Sequence, residues 1–498
     1  MSTEPIPKAR ALMAMALSMA FASHAAPGVD RDAWRGDLAV VKQTLQDDYA
    51  HLAWVASAQS GVDLPALERD AQQAITTASS DAQAEQALRT FLAGFHDGHL
   101  KLLDRQAADT SAPAPAPAPA PAAVDPRTLD ASTGCAALGV LDEGRHDYSV
   151  PLQALPGYHA TVGGADPALR SGVIALADGH RLGLLRLHEF DALRYPGLCH
   201  RLWGQLRHAD AVNDMRATLN DAWVAEIAAT LRRFQQQGVD AVLVDVGTNP
   251  GGDDSGDTLA RLFSGAPVQS APLWVSQSAA GRVYLQEQYE RIDDALRHHH
   301  PDATARPLLV QQRDRFAASL RATQAPPCDM AWVWQSPRDW QALPCRHLVA
   351  AGSSGGPLAT PAVDAIPDFL IAHRLDWAQD LRRHWAAWQG PVYVLTDAKT
   401  ASSAEMFAAR LQDNRIARVV GSTTGGYGCG FMSPPPPRTL PHSQLRMRIP
   451  NCVRLRADGS DEVAGIAPDL PIDTRANESA RARAQRMLDA VGVDLARH

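Results

Sequence analysis

Residues 391–425 place two adjacent serines where nucleophilic chemistry is possible. The pattern of apolar and small residues predicts a strand, a serine-bearing turn, a helix and a second strand, with the regular elements at 391–395, 404–412 and 417–420. A hydroxyl at a strand-to-helix turn is held rigidly, and the unpaired N–H groups of the first helical turn point at any oxyanion formed beside it. Ser402 and Ser403 are therefore candidate nucleophiles, and each is also suited to a plain helix N-cap.

Two distant segments add an oxyanion donor and a base. An apolar strand at 240–245 is followed by GTNPGGDDSGD, in which Gly251 and Gly252 allow a tight turn or a close backbone approach. Either glycine can therefore offer an N–H group to an oxyanion. The segment FHDGHL closes a helical stretch and carries His99, a candidate general base. Taken alone, His99 is better explained as a surface residue at a turn.

The surrounding elements alternate between strands and helices. Two short apolar strands at 171–176 and 182–187 flank an Asp-Gly turn and predict a hairpin. Predicted helices at 217–237 and 255–264 lie on either side of the strand at 240–246. This alternation favours an α/β core.

Four motifs occur in a characteristic order: HDGHL, VDVGTNPGG, VLTDAKTASSAE and VVGSTTGG. With the closing GSDEVAGIAPDLPID, they resemble the motifs of the C-terminal processing (tail-specific) and tricorn-core serine peptidase family. The resemblance covers most of 30–105, 170–275 and 390–475. It implies an α/β fold with a ClpP/crotonase-like core, preceded by a small N-terminal helical domain. It also implies hydrolysis of peptide or protein substrates without a metal or an organic cofactor.

The resemblance assigns roles residue by residue. The family's nucleophile lies three positions before the motif glutamate, Glu405, and is therefore Ser402. Glu405 itself, in the first turn of the helix, is expected to be structural because a carboxylate there can bond back to a backbone N–H group. The backbone N–H groups of Ser403 and of Gly251 or Gly252 are expected to hold the oxyanion.

The general base separates two branches of this family. The processing branch uses a lysine 25 positions after the nucleophile, but that position is Tyr427 here and no lysine follows Lys399. The tricorn-like branch uses a histidine in the place of His99, supported by an acid of the closing segment. The matching acid is Glu462, although the neighbouring Asp461 is an alternative. The resemblance therefore implies an acyl-enzyme peptidase with the triad Ser402, His99 and Glu462.

Three positions depart from the family's pattern. Gly98 stands in place of a serine, Gly247 in place of an arginine and Ser422 in place of a glutamate. These departures would suit a catalytically inactive protein that binds an apolar, retinoid- or lipid-type ligand on the same fold. An esterase that uses the same acyl-enzyme chemistry is a further alternative.

The chain divides into segments of different composition. Residues 29–105 show helical periodicity, whereas 106–126 form an Ala/Pro-rich linker that favours an extended spacer. Residues 127–498 are the predicted peptidase core, with a tryptophan-rich insertion at 276–388 between the glycine segment and the serine segment. That position suggests a cap over the site. The short distance from the linker to the core leaves no room for a PDZ domain.

Composition excludes some classes of partner. Of the 498 residues, 45% are hydrophobic and 20% charged, as in a folded globular protein, and the formal net charge is −8. A negative balance argues against nucleic-acid binding. We expect peptide or protein substrates and no stable membrane insertion, and the oligomeric state stays open.

The N-terminus resembles an export signal. Basic residues precede a short apolar run, and small residues end at Ala25, so we predict a signal peptide at 1–25 and a periplasmic or secreted protein. Six cysteines in an exported chain favour disulfides. The sequence does not determine their pairing, but we predict Cys328–Cys345 around a tryptophan-rich segment and Cys429–Cys452 between neighbouring extended runs. Cys135–Cys199 would be the remaining pair.

Overall fold

The computed structural model describes residues 29–105, 125–141, 144, 147–161 and 169–497. The predicted signal peptide and nearly all of the predicted linker lie outside the described residues. Within these ranges, no helix is both long enough and apolar enough to span a bilayer.

Helices and strands alternate along the described chain. The α-helices are α1 (Arg31–Asp48), α2 (Leu52–Val55), α3 (Leu64–Thr77), α4 (Asp81–Ala93), α5 (Ala131–Leu138), α6 (Pro196–Leu206), α7 (Val212–Gln236), α8 (Ser255–Thr258), α9 (Ala279–His298), α10 (Ala305–Ala322), α11 (Phe369–Leu375), α12 (Ser403–Asp413) and α13 (Ala480–Leu495). The strands are β1 (Lys101–Leu103), β2 (Tyr158–Ala160), β3 (Ser171–Ala175), β4 (Arg181–Arg186), β5 (Ala241–Asp245), β6 (Pro272–Ser276), β7 (Leu348–Ser353), β8 (Val392–Thr396), β9 (Ala417–Gly421), β10 (Arg438–Thr439), β11 (Arg446–Arg448), β12 (Cys452–Arg454) and β13 (Leu470–Pro471).

A seven-stranded sheet, in the order β13-β9-β8-β5-β4-β3-β2, lies at the centre. Neighbouring strands from β13 to β4 are parallel, and β3 and β2 continue the sheet antiparallel. Every residue of β5 and β8 is buried, as expected for parallel strands covered on both faces. Helices α6, α7 and α12 cover one face, and α13 covers the other. The predicted α/β class is confirmed.

The elements that carry the candidate site form close to where the sequence predicts them. The predicted hairpin is the antiparallel pair β3–β4, with Ser171 opposite Leu185. The predicted serine helix is α12, and it lies between the adjacent parallel strands β8 and β9. The glycine segment follows β5, which is the next neighbour of β8. The carboxyl ends of β5 and β8 therefore bring the two segments together.

The N-terminal helices share a hydrophobic core with the C-terminal part of the chain. Trp34, Leu88 and Phe95 belong to one buried cluster that also contains Trp340 and Met447. Strand β1 extends this contact, because it pairs antiparallel with β11. His99 lies in the chain between α4 and β1. The shared core therefore positions it beside the C-terminal part of the chain.

The insertion at 276–388 is built onto a second, small sheet. Strand β6 pairs with β12 on one side and with β7 on the other, and α9 packs against α10 beside them. Its core also contains Cys429 and Cys452. A role for the insertion as a cap stays a prediction.

All three predicted disulfides are present. Cys135 is bonded to Cys199, Cys328 to Cys345 and Cys429 to Cys452, and no cysteine of the described chain is free. The pair Cys429–Cys452 matters most for the site, because it ties the segment after Tyr427 to strand β12.

Candidate active site

Ser402 occupies a strained turn between β8 and α12. Its backbone lies at φ 54° and ψ −117°, a left-handed conformation that costs energy for a residue with a side chain. Ser402 is the N-cap of α12, and its N–H group donates to Glu405 Oε2 at 2.8 Å. The helix therefore begins at the predicted nucleophile, and the predicted back-bond from Glu405 is present.

Glu405 joins this turn to the segment that follows β9. Its buried carboxylate accepts hydrogen bonds from the N–H groups of Ser402, Gly426 and Tyr427 and from Thr424 Oγ1, at 2.6 to 2.9 Å. Burial raises the pKa of Glu405 to about 7 although these hydrogen bonds oppose the shift. With all four contacts directed at the chain itself, Glu405 has the structural place that the sequence predicts.

His99 is oriented by a backbone carbonyl. Its Nδ1 lies 2.7 Å from the carbonyl oxygen of Tyr427, and its backbone N–H donates to Asp97 Oδ1 at 2.8 Å. A carbonyl can only accept, so the proton of the neutral ring is on Nδ1, and Nε2 is left with a lone pair. This is the tautomer that a general base requires.

The electrostatic surroundings keep His99 neutral. Burial lowers its pKa to about 4, and the positive charges of Arg454, His51 and Arg448 act in the same direction. The hydrogen bond to the Tyr427 carbonyl opposes the shift only in part. The imidazole is therefore uncharged and able to accept a proton across the physiological pH range.

Tyr427 is the residue that sequence reasoning misses. It occupies the position of the processing branch's lysine, yet it contributes a backbone carbonyl to His99 and a backbone N–H to Glu405. A Cβ atom at Gly98 would lie 2.1 Å from the Tyr427 ring, so the ring fills the space that a serine side chain would need. The glycines on both sides of Tyr427, in GGYGCG, were the available signal.

The structure reduces the number of candidate N–H donors to the oxyanion. The N–H group of Gly251 donates to Asn249 Oδ1 at 2.8 Å and is therefore not free, which corrects one of the predicted donors. Gly251 instead provides a close wall, since a Cβ there would lie 2.7 Å from Ser402 Cβ. The N–H groups of Gly252 and Ser403 have no acceptor among the described residues. These two remain the candidate donors.

No hydrogen bond joins Glu462 to His99 within the described part of the chain, so its predicted support of His99 stays a prediction. Both of its carboxylate oxygens accept from Arg454, at 2.6 to 3.1 Å, and the pair is buried. Arg454 Nη2 also donates to the carbonyl of Gly428 at 2.8 Å. Glu462 therefore reaches His99 only indirectly, through Arg454 and the segment that contains Tyr427. The sequence could not show this contact, because Arg454 does not belong to any of the family motifs.

The alternative acid, Asp461, is bonded to a different histidine. Asp461 Oδ2 lies 2.7 Å from His51 Nδ1, and His51 Nε2 lies 2.8 Å from the carbonyl oxygen of Cys429. Burial alone would lower the pKa of His51, but Asp461, Asp97 and the Cys429 carbonyl outweigh it and raise the pKa to about 9. A second histidine thus contacts the loop that holds His99.

An arginine from another strand lies beside Gly247, where the family's own arginine is missing. Arg186, buried on β4, donates to the Gly247 carbonyl at 2.6 Å and forms an ion pair with Asp245 at 3.2 Å. A guanidinium is therefore present beside Gly247 although the family's arginine at that position is missing. A Cβ at Gly247 would lie 2.3 Å from Ser149 Oγ, which leaves no room for a larger residue.

The structure thus assembles most of the predicted residues around one turn. Ser402 and Tyr427 share Glu405, and Tyr427 in turn holds His99. No hydrogen bond joins Ser402 to His99 within the described part of the chain. The arrangement provides a strained serine, a neutral imidazole and two free N–H groups, which are the components of acyl transfer.

Comparison with known proteins identifies the family. The model of peptidase family S41 matches residues 181–472, more than half of the 498 residues. The chain belongs to peptidase family S41. The match spans β4, the glycine segment, the serine turn and Glu462, but it begins after His99 and β3. The tail-specific family resemblance is thereby confirmed.

Two solved structures with TM-scores above 0.5 share the fold of this S41 peptidase at low identity. Mature CPAF is 14% identical with a TM-score of 0.54, and the match covers 93% of this chain and 98% of that chain. Mature CPAF complexed with lactacystin is 15% identical, with the same TM-score and coverage of 93% and 99%. The photosystem II D1 C-terminal processing protease is 12% identical, covering 91% and 97%, with a TM-score of 0.31. No curated protein matches the sequence.

Proposed function

We propose that this S41 peptidase is an exported serine endopeptidase of the tricorn-like type, which cleaves peptide bonds through an acyl-enzyme on Ser402. The observation that carries the proposal is the strained backbone of Ser402 at a strand-to-helix turn. Strain of this kind persists only where the surrounding structure enforces it, and it is concentrated at functional sites. An ordinary N-cap serine has an extended backbone and needs no such strain.

Each chemical step then has a residue. His99 Nε2 takes the proton of Ser402 as the hydroxyl attacks the substrate carbonyl, and the N–H groups of Gly252 and Ser403 hold the oxyanion. The protonated His99 returns the proton to the departing amine, and water then hydrolyses the acyl-enzyme by the same base. Tyr427 holds the imidazole through its carbonyl. The missing hydrogen bond between Ser402 and His99 is expected to form when substrate fills the site, because catalytic hydrogen bonds often tighten only in the complex.

A fluorophosphonate probe tests the nucleophile directly. We expect the probe to label Ser402, as mapped by mass spectrometry, and labelling to be lost in Ser402→Ala. Ser403→Ala is the matched control, since it removes the adjacent hydroxyl but keeps the backbone N–H group, and it should still be labelled. Label on Ser403, or no label on a folded sample, would contradict the proposal.

The same sample separates the alternatives. An apolar-ligand binding protein predicts no labelling, whereas an esterase predicts labelling and turnover of small esters without cleavage of peptides. A peptidase predicts both labelling and cleavage of an unstructured protein such as casein, detected as new N-termini within the chain of the substrate. New termini only at the end of the substrate would indicate an exopeptidase.

Export is supported by the disulfides. All six cysteines are paired, and disulfides persist in oxidising compartments. We expect the protein recovered from the periplasm or the medium to begin at Ala26, as read by N-terminal mass spectrometry. A protein that keeps residues 1–25 and is found with reduced cysteines in the cytoplasm would contradict this part of the proposal.

A further inference from the structure

Two cations lie directly opposite each other beside the candidate site. Lys101 on β1 pairs with Arg448 on β11, so their side chains extend from the same face of the small sheet. Both residues are exposed, whereas the next pair of the ladder, Leu102 and Met447, is buried. The two charges are therefore on the solvent face of these strands.

This arrangement is unfavourable for the fold alone. Like charges directly opposite each other on neighbouring antiparallel strands are destabilising. Neither Lys101 nor Arg448 forms an ion pair with any residue of the described chain. The protein as a whole carries a formal net charge of −8, so carboxylates are in excess. Two neighbouring cations without a carboxylate partner are therefore unusual on this chain, and an anionic ligand would neutralise their repulsion.

Arg448 is held in place by an aromatic ring. Its guanidinium carbon lies 3.9 Å from the centre of the Phe431 ring, within the range of a cation–π contact. Phe431 in turn packs against His99, with ring centres 5.7 Å apart. Stacking occupies one face of the guanidinium and leaves the N–H groups at its edge free for a planar acceptor such as a carboxylate.

The cation pair lies on a defined side of the reacting bond. Arg448 is close enough to His99 to contribute to the low pKa of the imidazole. Lys101 follows His99 by two positions, at the start of β1. His99 gives its proton to the departing amine, so its surroundings meet the leaving-group part of the substrate.

We propose that Lys101 and Arg448 form a subsite for a carboxylate on the leaving-group side of the peptide substrate. The carboxylate belongs either to an acidic side chain or to the free C-terminus of the substrate. This inference rests on the proposed function, since it uses His99 to define the leaving-group side. It makes cleavage selective for acidic sequence after the cut.

Matched peptide pairs test the subsite. Internally quenched peptides carry Glu or Gln at each of the first three leaving-group positions, and each is made with a free or an amidated C-terminus. We expect kcat/KM to be about fivefold higher for a Glu peptide than for its Gln partner at low ionic strength, the scale of one exposed ion pair. The ratio should approach one at about 1 M salt, because screening removes exposed interactions. A preference for the free C-terminus, without one for Glu, would assign the subsite to the terminal carboxylate.

Variants locate the effect. Lys101→Gln and Arg448→Gln should each lower the ratio, and the double variant should bring it to about one. Arg481→Gln is the matched control, because Arg481 is an exposed arginine on α13, on the far side of the central sheet, and it should keep the wild-type ratio. The same peptides are also used to slow fluorophosphonate labelling, which measures their binding even where none is cut.

The outcomes distinguish the two levels of the argument. Absence of labelling on Ser402 in the folded protein rejects the proposed function. Normal labelling, with Glu and Gln peptides equal both as substrates and as competitors, rejects only the subsite. Equal loss of the ratio in Arg481→Gln would also reject it, because the effect would then reflect total charge.

Discussion

Two histidines from the N-terminal helical region contact the same short segment of the peptidase core. His99 lies against the carbonyl of Tyr427, and His51 lies against the carbonyl of Cys429. The difference is in the other ring nitrogen. His51 presents it to the buried carboxylate of Asp461, whereas no described residue accepts from His99 Nε2.

This difference sets the charge of each ring. Two acceptors require two protons, so His51 is an imidazolium, and its pKa is raised to about 9. One acceptor leaves a lone pair, and burial lowers the pKa of His99 to about 4. The carboxylate is therefore placed where charge stabilises the structure and is withheld where a neutral base is needed.

Replacing His99 should have the largest effect on activity. His99→Gln retains a donor for the Tyr427 carbonyl but removes the base, so the rate of fluorophosphonate labelling should fall by a factor of about 1,000. The free energy of unfolding should change by about 1 kcal/mol or less, the scale of one hydrogen bond. Labelling kinetics and urea denaturation on the same sample measure the two effects. An unchanged labelling rate would show that another group activates Ser402.

Replacing His51 should lower the stability of the fold more than it lowers the labelling rate. His51→Gln leaves the buried carboxylate of Asp461 without its cation, and breaking a buried ion pair in this way costs about 3–5 kcal/mol. Urea denaturation measures the loss. The double variant His51→Gln/Asp461→Asn removes both charges and should recover a large part of it. If His51→Gln and Asp461→Asn were additive, the two residues would not act as a pair.

The two rings should also give opposite slopes of stability with pH. His51 binds its proton more tightly when folded, so its contribution is complete below 6.5 and is lost as the pH rises through about 9. His99 binds its proton less tightly when folded, so stability falls as the pH drops from 6.5 towards about 4. Denaturation across pH 4–10 should show both limbs. His99→Gln should flatten the acid limb. His51→Gln should flatten the alkaline limb and also weaken the acid limb, because it removes one of the charges that lower the pKa of His99.

Removing one charge near His99 should shift the pKa of the base without removing the base itself. Arg448→Gln takes away one of the positive charges that lower the pKa of His99. The acid limb of the labelling rate should therefore shift to higher pH, by about half a unit for one exposed charge. Lys42→Gln is a suitable control, because Lys42 is paired with Glu68 on the helical side. A shift to lower pH in Arg448→Gln would contradict this electrostatic account.

Local patterns predict much of this molecule. The β3–β4 hairpin follows from its Asp-Gly turn, and the serine turn follows from apolar periodicity on both sides. Two disulfides follow from residues in extended or tryptophan-rich surroundings, and Cys135–Cys199 is the pair that remains. The position of Ser402 at the start of a helix was accessible in the same way. Each of these features depends on residues close in sequence or on side-chain type.

The contacts of the base were not accessible. Tyr427 acts through its backbone, and a carbonyl has no sequence signature. Gly251 loses its N–H group to a neighbouring side chain, Asn249, which only the folded turn shows. The pairing of Asp461 with His51 depends on how segments 410 residues apart pack, and the pairing of Glu462 with Arg454 depends on the chain reversal after β12. Adjacent acids in a sequence cannot reveal which cation each one meets.

The proposed base and nucleophile lie far apart in the chain, and this has a consequence for the stage of synthesis and folding at which the site is complete. His99 comes from the first helical region, and Ser402 from the turn between β8 and α12, about 300 residues later in the chain. The segment that orients His99 is built only after β9, and it is tied down by Cys429–Cys452. A partly folded copy is the most easily cut polypeptide in its own neighbourhood, yet it holds no assembled base. Under the proposed function, the protein therefore becomes able to cleave other chains only when it has itself folded and become hard to cleave.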